Sequence, residues 1–485
     1  MSITAGTAAN LAGSIVPALV SLLTIPLYIQ VVGQERYGIL VLIWLLLGYF
    51  GLFDLGLGRA TAQRIAALAT ASADARSRVF WTAFLLNAGL GLLGGIVLWS
   101  IGKFTLQNWA TAGGLGVEVL GVVPGLAAGV PLLTISGVLS GALQGRQQFL
   151  ILNLVHVVGA VLSQVAPLAL ATFWGADIRL LVPAVLLTRA LSCLVLLAIC
   201  WRLVPLRGMP VINRSLLRPL IRYGSWVTVS SVVGPLLTSL DRFIIGTVVG
   251  ARAVTLYTVP FNLVSALAVL PNGLSSTLFP RFAGEDTEKH GPLLERAVCC
   301  LAAVLTPVIL VAVAGMRPFL AWWVGAEFSA EAATVGQIIA LGLWLNGIAY
   351  IPFALLQARG RPDLVAKCHL VELLPYLTLL WVGLHFYGIA GAAIAWSLRV
   401  GTDACLLFWL SRIDPGHLRM LIPNSLLMVV MAVLVFVPTL SGHWQWILAI
   451  KVILFSAVWS WRSSGLSIAA LSQVRLPARA WSLMR

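Results

Sequence analysis

Charge is what this chain has least of. Across 485 residues, Asp, Glu, Lys and Arg together make up 10%, against 60% hydrophobic residues, and no Lys or Arg precedes Arg36. A water-facing fold needs more polar surface than this, so the bilayer is the expected solvent. Period-2 alternation is also missing from the apolar runs, which argues against barrel strands and for helices. The opening residues have neither a basic start nor a small-residue cleavage site after a short apolar region, so the first apolar run is expected to be retained. Six cysteines, at 193, 200, 299, 300, 368 and 405, follow neither a paired extracellular pattern nor zinc spacing. Free thiols are expected, with no metal and no cofactor. No GxxxxGK[ST] loop occurs, so ATP hydrolysis within the chain is not expected.

What remains is a succession of apolar runs long enough to cross about 30 Å of hydrocarbon. Cutting at polar and Pro/Gly breaks places spans near 9–32, 38–60, 79–101, 115–140, 149–173 and 178–203. The second half adds 220–249, 254–281, 295–316, 332–357, 364–386, 388–411, 420–440 and 445–462. The fold class is therefore all-α, a polytopic membrane protein of about 14 transmembrane helices. Of the 31 Lys and Arg, 22 fall on one side of these spans, five on the other and four inside spans. The positive-inside rule makes the rich side cytoplasmic and puts both termini there. Acids sorted in the same way leave the whole net charge of +15 on the cytoplasmic side. Anionic membrane lipid is the partner this implies, and nucleic acid is excluded.

The chain also repeats. Val31 to Gly33 returns as Val248 to Gly250, and Arg64-x-Ala66 as Arg281-x-Ala283, both at an offset of 217. Leu143-Gln144-Gly145-Arg146 returns as Leu356-Gln357-Ala358-Arg359, and His156 as His369, at 213. Arg189 maps onto Arg399 and Arg202 onto Arg412 at 210. A steady drift is what a few loop deletions in the second copy produce. Six spans per copy is an even number, so two parallel six-helix lobes are expected over 1–210 and 211–415. Two additional helices and a basic tail follow over 416–485.

Asn10, Pro17, Pro26-Leu27-Tyr28-Ile29, Gly33, Glu35-Arg36-Tyr37-Gly38, Asp54-Leu55-Gly56-Leu57-Gly58, Ala60 and Arg64 resemble the opening of the Wzx-type flippases. That family belongs to the multidrug/oligosaccharidyl-lipid/polysaccharide exporter superfamily. The resemblance implies two lobes around a central cavity that opens alternately to cytoplasm and periplasm. It also implies an undecaprenyl-pyrophosphate-linked oligosaccharide as cargo, ion antiport, the bacterial inner membrane as location, and polysaccharide polymerase machinery as partner.

The charged residues inside spans carry the site expectations. A pyrophosphate crossing a low-dielectric medium needs fixed cations, and Arg suits this through its bidentate fork and permanent charge. Arg189, Arg399, Arg242 and Arg59 are the substrate-binding candidates. Arg189 and Arg399, at repeat-equivalent depths, are expected to clamp the anion from two lobes. Arg399 has Asp403 at i+4, whereas Arg189 has no acid within four residues. Asp54, Asp241 and Glu372 are the ion-coupling candidates, because a carboxylate at membrane depth is costly unless paired or exchanged. Each also has a structural reading. Asp54 and Arg59, about 140° apart on a continuous helix, would need partners elsewhere. Asp241 and Arg242, about 100° apart, would face different surroundings. Glu372 has Lys367 nearby as a local partner, and His156 and His369 read as hydrogen-bonded structural groups or as coupling imidazoles. A small-molecule cation antiporter of the same fold would favour acids and aromatics over buried Arg. A polysaccharide polymerase or ligase would carry a large catalytic periplasmic loop, whereas the longest outer loops here are about 14 residues.

Overall fold

The computed structural model describes residues 3–50, 54, 56–68, 72–110, 115–204, 213, 217, 237, 239–284, 290–412, 421–437 and 442–463. Among them the regular elements are all helical, as a chain that must satisfy its own backbone in hydrocarbon requires. They are α1 (Ile3–Val32), α2 (Gln34–Tyr49), α3 (Leu57–Ala67), α4 (Ala73–Ala110), α5 (Leu115–Gly145), α6 (Phe149–Trp174), α7 (Ile178–Leu203) and α8 (residues 239–248). After these come α9 (Ala251–Ser265), α10 (Val269–Gly284), α11 (His290–Trp323), α12 (Ala326–Ala358), α13 (Pro362–Leu410), α14 (Leu421–Phe436) and α15 (Gly442–Ser463). Nine described helical segments are long and apolar enough to cross a membrane.

Two compact units divide the chain, Met1–Thr258 and Val259–Arg485. Lipid gives helices no hydrophobic reason to associate, so close packing of small residues must hold them together. In the first unit α3 lies on α5 through such a stripe. A Cβ on Gly58 would stand 2.6 Å from the Gly137 carbonyl oxygen, and one on Gly145 would stand 2.7 Å from that of Ala62. A Cβ on Gly141 would collide with the Gly58 carbonyl. In the second unit α12 packs on α10, α11 and α13. Two polar links join it to α11: Trp344 Nε1 donates to Thr306 Oγ1 at 2.9 Å, and Gln337 Nε2 donates to the Val313 carbonyl at 3.1 Å.

The second expected span, 38–60, is not one helix. It stops at Tyr49 and resumes at Leu57, after Gly56 in the left-handed region at φ 69°. The apolar run continues through the break, so hydropathy gives no sign of it. The spans expected at 364–386 and 388–411 form the two arms of α13, which meet at Gly388 with φ 57° and ψ −141°, a conformation open to glycine. Next to that break the arms touch backbone to backbone at Gly383 and Gly391. The expected seventh span, 220–249, lies outside the described residues up to 236, as do Pro235, Gly51 and the basic tail beyond 463.

The repeat is also written in the backbone. Positive φ recurs at Gly33 and Gly250, 217 apart, and at Gln147 and Gly360 and at Gly175 and Gly388, each 213 apart. The α5 and α12 ends close identically. Gln148 N–H donates to the Leu143 carbonyl and Arg361 N–H to that of Leu356, while Gln147 N–H donates to the Gln144 carbonyl and Gly360 N–H to that of Gln357.

Candidate functional site: buried charges of the two units

Arg189 sits midway along α7, a helix started by Asp177, whose carboxylate accepts the Arg179 N–H at 2.8 Å. Its Nε is buried and has no hydrogen-bond partner, and no acid forms an ion pair with it among the described residues. The neighbouring hydroxyls are already committed to backbone, Thr188 to the Val185 carbonyl at 2.8 Å and Ser192 to that of Thr188 at 2.9 Å. His156 on α6 lies within electrostatic reach of the guanidinium, and its Nε2 is 3.2 Å from Ser140 Oγ. A cation held this way in an apolar helix has costly desolvation and no ion pair among the described residues to offset it.

Asp54 is not on the helix that carries Arg59. It occupies the break before α3, and both its carboxylate oxygens accept the Gly58 N–H at 3.0 Å. Asn87 of α4 donates to the same carboxylate at 2.5 Å and to the Thr134 carbonyl of α5 at 3.1 Å, and Thr134 Oγ1 returns a bond to the Asn87 carbonyl. Asp54 thus caps α3 and ties it to α4 and α5. Asn87 is a lone amide in an apolar run, and no sequence motif marks it. Arg59 is exposed on α3, as is Arg64.

Asp241 and Arg242 were expected to diverge, and they pair with one another. Arg242 Nη1 is 3.4 Å from Asp241 Oδ1, with both residues buried, and Tyr257 of α9 donates to the other carboxylate oxygen at 2.7 Å. The guanidinium stem is long enough to fold back along the helix, which outweighs the 100° between successive Cβ directions.

In the second unit, α13 gathers five polar side chains by folding back at Gly388. Glu372 is buried with neither carboxylate oxygen hydrogen-bonded, and Asp403 and Arg399 are its electrostatic neighbours. His369 Nε2 lies 3.6 Å from Asp403 Oδ1, and the Arg399 guanidinium carbon lies 5.8 Å from the Tyr376 ring centroid. Lys367 pairs with Asp363 at 3.6 Å and so is not the partner of Glu372. When both carboxylates are ionised, two negative charges face one guanidinium. Sequence spacing put Asp403 one turn from Arg399, but bringing Glu372 to the same place takes the hairpin of α13. Arg189 belongs to the first unit and Arg399 to the second.

The family model for polysaccharide biosynthesis proteins matches residues 3–284. The chain is 27% identical over 411 residues to the Shigella flexneri protein named "Putative O-antigen transporter", covering 84% of this chain and 98% of that one. Its fold is similar to that of lipid II flippase MurJ in an inward closed conformation, with a TM-score of 0.71, 12% identity, and coverage of 94% and 98% of the two chains. It is also similar to an inward-facing multidrug resistance transporter of the MATE family and MOP superfamily, with a TM-score of 0.65, 17% identity, and coverage of 84% and 96%.

Proposed function

We propose, from the premise that this chain belongs to the polysaccharide biosynthesis protein family, that it is a Wzx-type flippase of the MOP superfamily. It moves undecaprenyl-pyrophosphate-linked oligosaccharide from the cytoplasmic to the periplasmic leaflet by alternating access. It is a transporter and not an enzyme. The observation that carries this reading is Arg189, a half-buried arginine midway along α7 that forms no ion pair with an acid among the described residues. Such a group fits a pyrophosphate, which accepts its fork bidentately, and repels a cationic drug. The O-antigen transporter relative supports the same cargo class. The coupling ion is carried by Glu372 together with Asp403, since an imported cation would balance the charge that Arg399 leaves over.

Complementation separates this reading from cation antiport. In a bacterial strain whose own repeat-unit flippase is deleted, expression with a matching sugar pathway restores surface polysaccharide and leaves drug tolerance unchanged. Raised tolerance to cationic drugs with no restored polysaccharide would select the antiporter instead.

The inner-membrane orientation follows from the basic loops, with both termini cytoplasmic. Cysteines introduced at Gly113 and Ser441, both outside the described residues, are expected to react with impermeant maleimide from the periplasm. One at Ser472, in the same position with respect to the structure, should react only after permeabilisation. Reaction at Ser472 in intact cells overturns the orientation.

A further inference from the structure

His156 and Arg189 recur as His369 and Arg399, at offsets of 213 and 210. In each unit the imidazole and the guanidinium come within electrostatic reach of one another. What accompanies the pair differs. In the second unit Asp403 lies 3.6 Å from His369 Nε2, and Glu372 has Asp403 and Arg399 as its electrostatic neighbours. That unit supplies its own oxyanions to the pair. The same offsets map Glu372 onto Gly159 and Asp403 onto Cys193, so the first unit supplies none from either position. A side chain at the first of them has no room, because a Cβ on Gly159 would already stand 2.5 Å from Ser192 Oγ. Cys193 is buried in an apolar core.

The pair in the first unit is turned away from lipid. Leu154 and Val158, two residues either side of His156, are exposed hydrocarbon, and so are Leu187 and Leu191 either side of Arg189. Two residues are about 200° of helix, so both polar side chains leave on the far side from that hydrocarbon. His156 is nevertheless exposed there. Its ring is also oriented. Ser140 Oγ, 3.2 Å from Nε2, bonds to nothing else among the described residues, whereas Ser136 and Ser192 give their hydroxyls to backbone carbonyls. The Ser140 proton therefore goes to Nε2, which leaves the ring's own proton on Nδ1. We propose that His156 is a second cargo contact, its Nδ1–H donating to the diphosphate that Arg189 forks, so that this unit selects a diphosphate over a monophosphate. The inference rests on the cargo reading above. The second unit already holds an oxyanion beside its His–Arg pair in Asp403, and in the first unit the cargo brings it. Spacing favours two phosphoryl groups over one. Helices α6 and α7 run antiparallel and touch at Gly159 and Ser192, each three residues from one member of the pair and on opposite sides of the contact. The two Cα levels are therefore about 9 Å apart along the bundle, a gap that linked phosphoryl groups span better than a single one.

The test titrates the full chain, purified in detergent, with undecaprenyl diphosphate and with undecaprenyl monophosphate, reading binding by thermophoresis. The parent is expected to bind the diphosphate more tightly. His156→Leu should weaken diphosphate binding about ten-fold, the effect of losing one hydrogen bond to a charged group, and leave monophosphate binding nearly unchanged. The unchanged monophosphate binding also reports that the variant is folded. His156→Asn, whose amide nitrogen stands near the place of Nδ1, should keep the preference for diphosphate, whereas His156→Gln should lose it. Arg189→Ala should weaken both lipids. Parental diphosphate binding in His156→Leu beside weakened binding in Arg189→Ala overturns this contact and leaves the cargo reading in place. Parental binding in both variants overturns the cargo reading of Arg189 as well. Equal weakening of the two lipids in His156→Leu, or the same loss in His156→Leu and His156→Asn, overturns the contact and makes His156 structural.

Discussion

Arg189→Ala is expected to flip lipid-linked oligosaccharide in reconstituted vesicles at a tenth of the parental rate or less, with membrane abundance nearly unchanged. The size follows from what is lost. A charge-assisted hydrogen bond contributes about 1.5–3 kcal/mol, and at about 1.4 kcal/mol per decade that is a loss of roughly 10- to 100-fold. Arg189→Lys keeps a positive charge but removes the planar fork, so its rate should fall between those of Ala and the parent. Folding should survive both changes. Deleting one member of a buried ion pair strands the other at a cost of several kcal/mol, but Arg189 has no ion-pair partner among the described residues to strand. A parental rate for Arg189→Ala rejects the cation as a cargo contact, and disappearance from the membrane makes it structural.

Glu372→Gln is expected to abolish the response of flipping to an imposed proton or sodium gradient while leaving gradient-independent flipping measurable. Asp403→Asn should act in the same direction, because both carboxylates face the same guanidinium and the amide leaves one charge against one. The other two carboxylates separate from this pair on geometry. Asp241→Asn would remove a buried carboxylate that pairs with Arg242 and accepts from Tyr257, so lower abundance is expected in place of altered coupling. Asp54→Asn keeps an oxygen for the Gly58 N–H and should change coupling little. Flipping that still follows the gradient in Glu372→Gln rejects the assignment. The readout is the ratio of rates with and without the gradient, measured in the same vesicles, so a loss of protein does not imitate it.

Some breaks between elements were legible where a glycine or polar cluster interrupted an apolar run. Gly388 falls between two expected spans and is where the arms of α13 turn. The repeat was legible as recurring letters because equivalent helix ends use equivalent left-handed residues. The break before α3 was not legible. Its cause is Asp54, which accepts the Gly58 N–H and holds Asn87, and a carboxylate chooses between capping and coupling only when its donors are in place.

By itself, the sequence determined the solvent and the helical class, because each rests on sums over many residues. The resemblance carried by its first seventy residues led to the family. The tertiary structure alone decided which buried charges are already answered. Arg242 and Asp241 close on each other, and Asp54 is spent on a helix start. Glu372 meets Asp403, 31 positions later, because a glycine hairpin folds α13 back on itself. Spacing along a helix says where a side chain leaves the backbone. Pairing depends on what stands within a few ångströms of its tip, and in a bundle of crossing helices that neighbour comes from elsewhere in the chain.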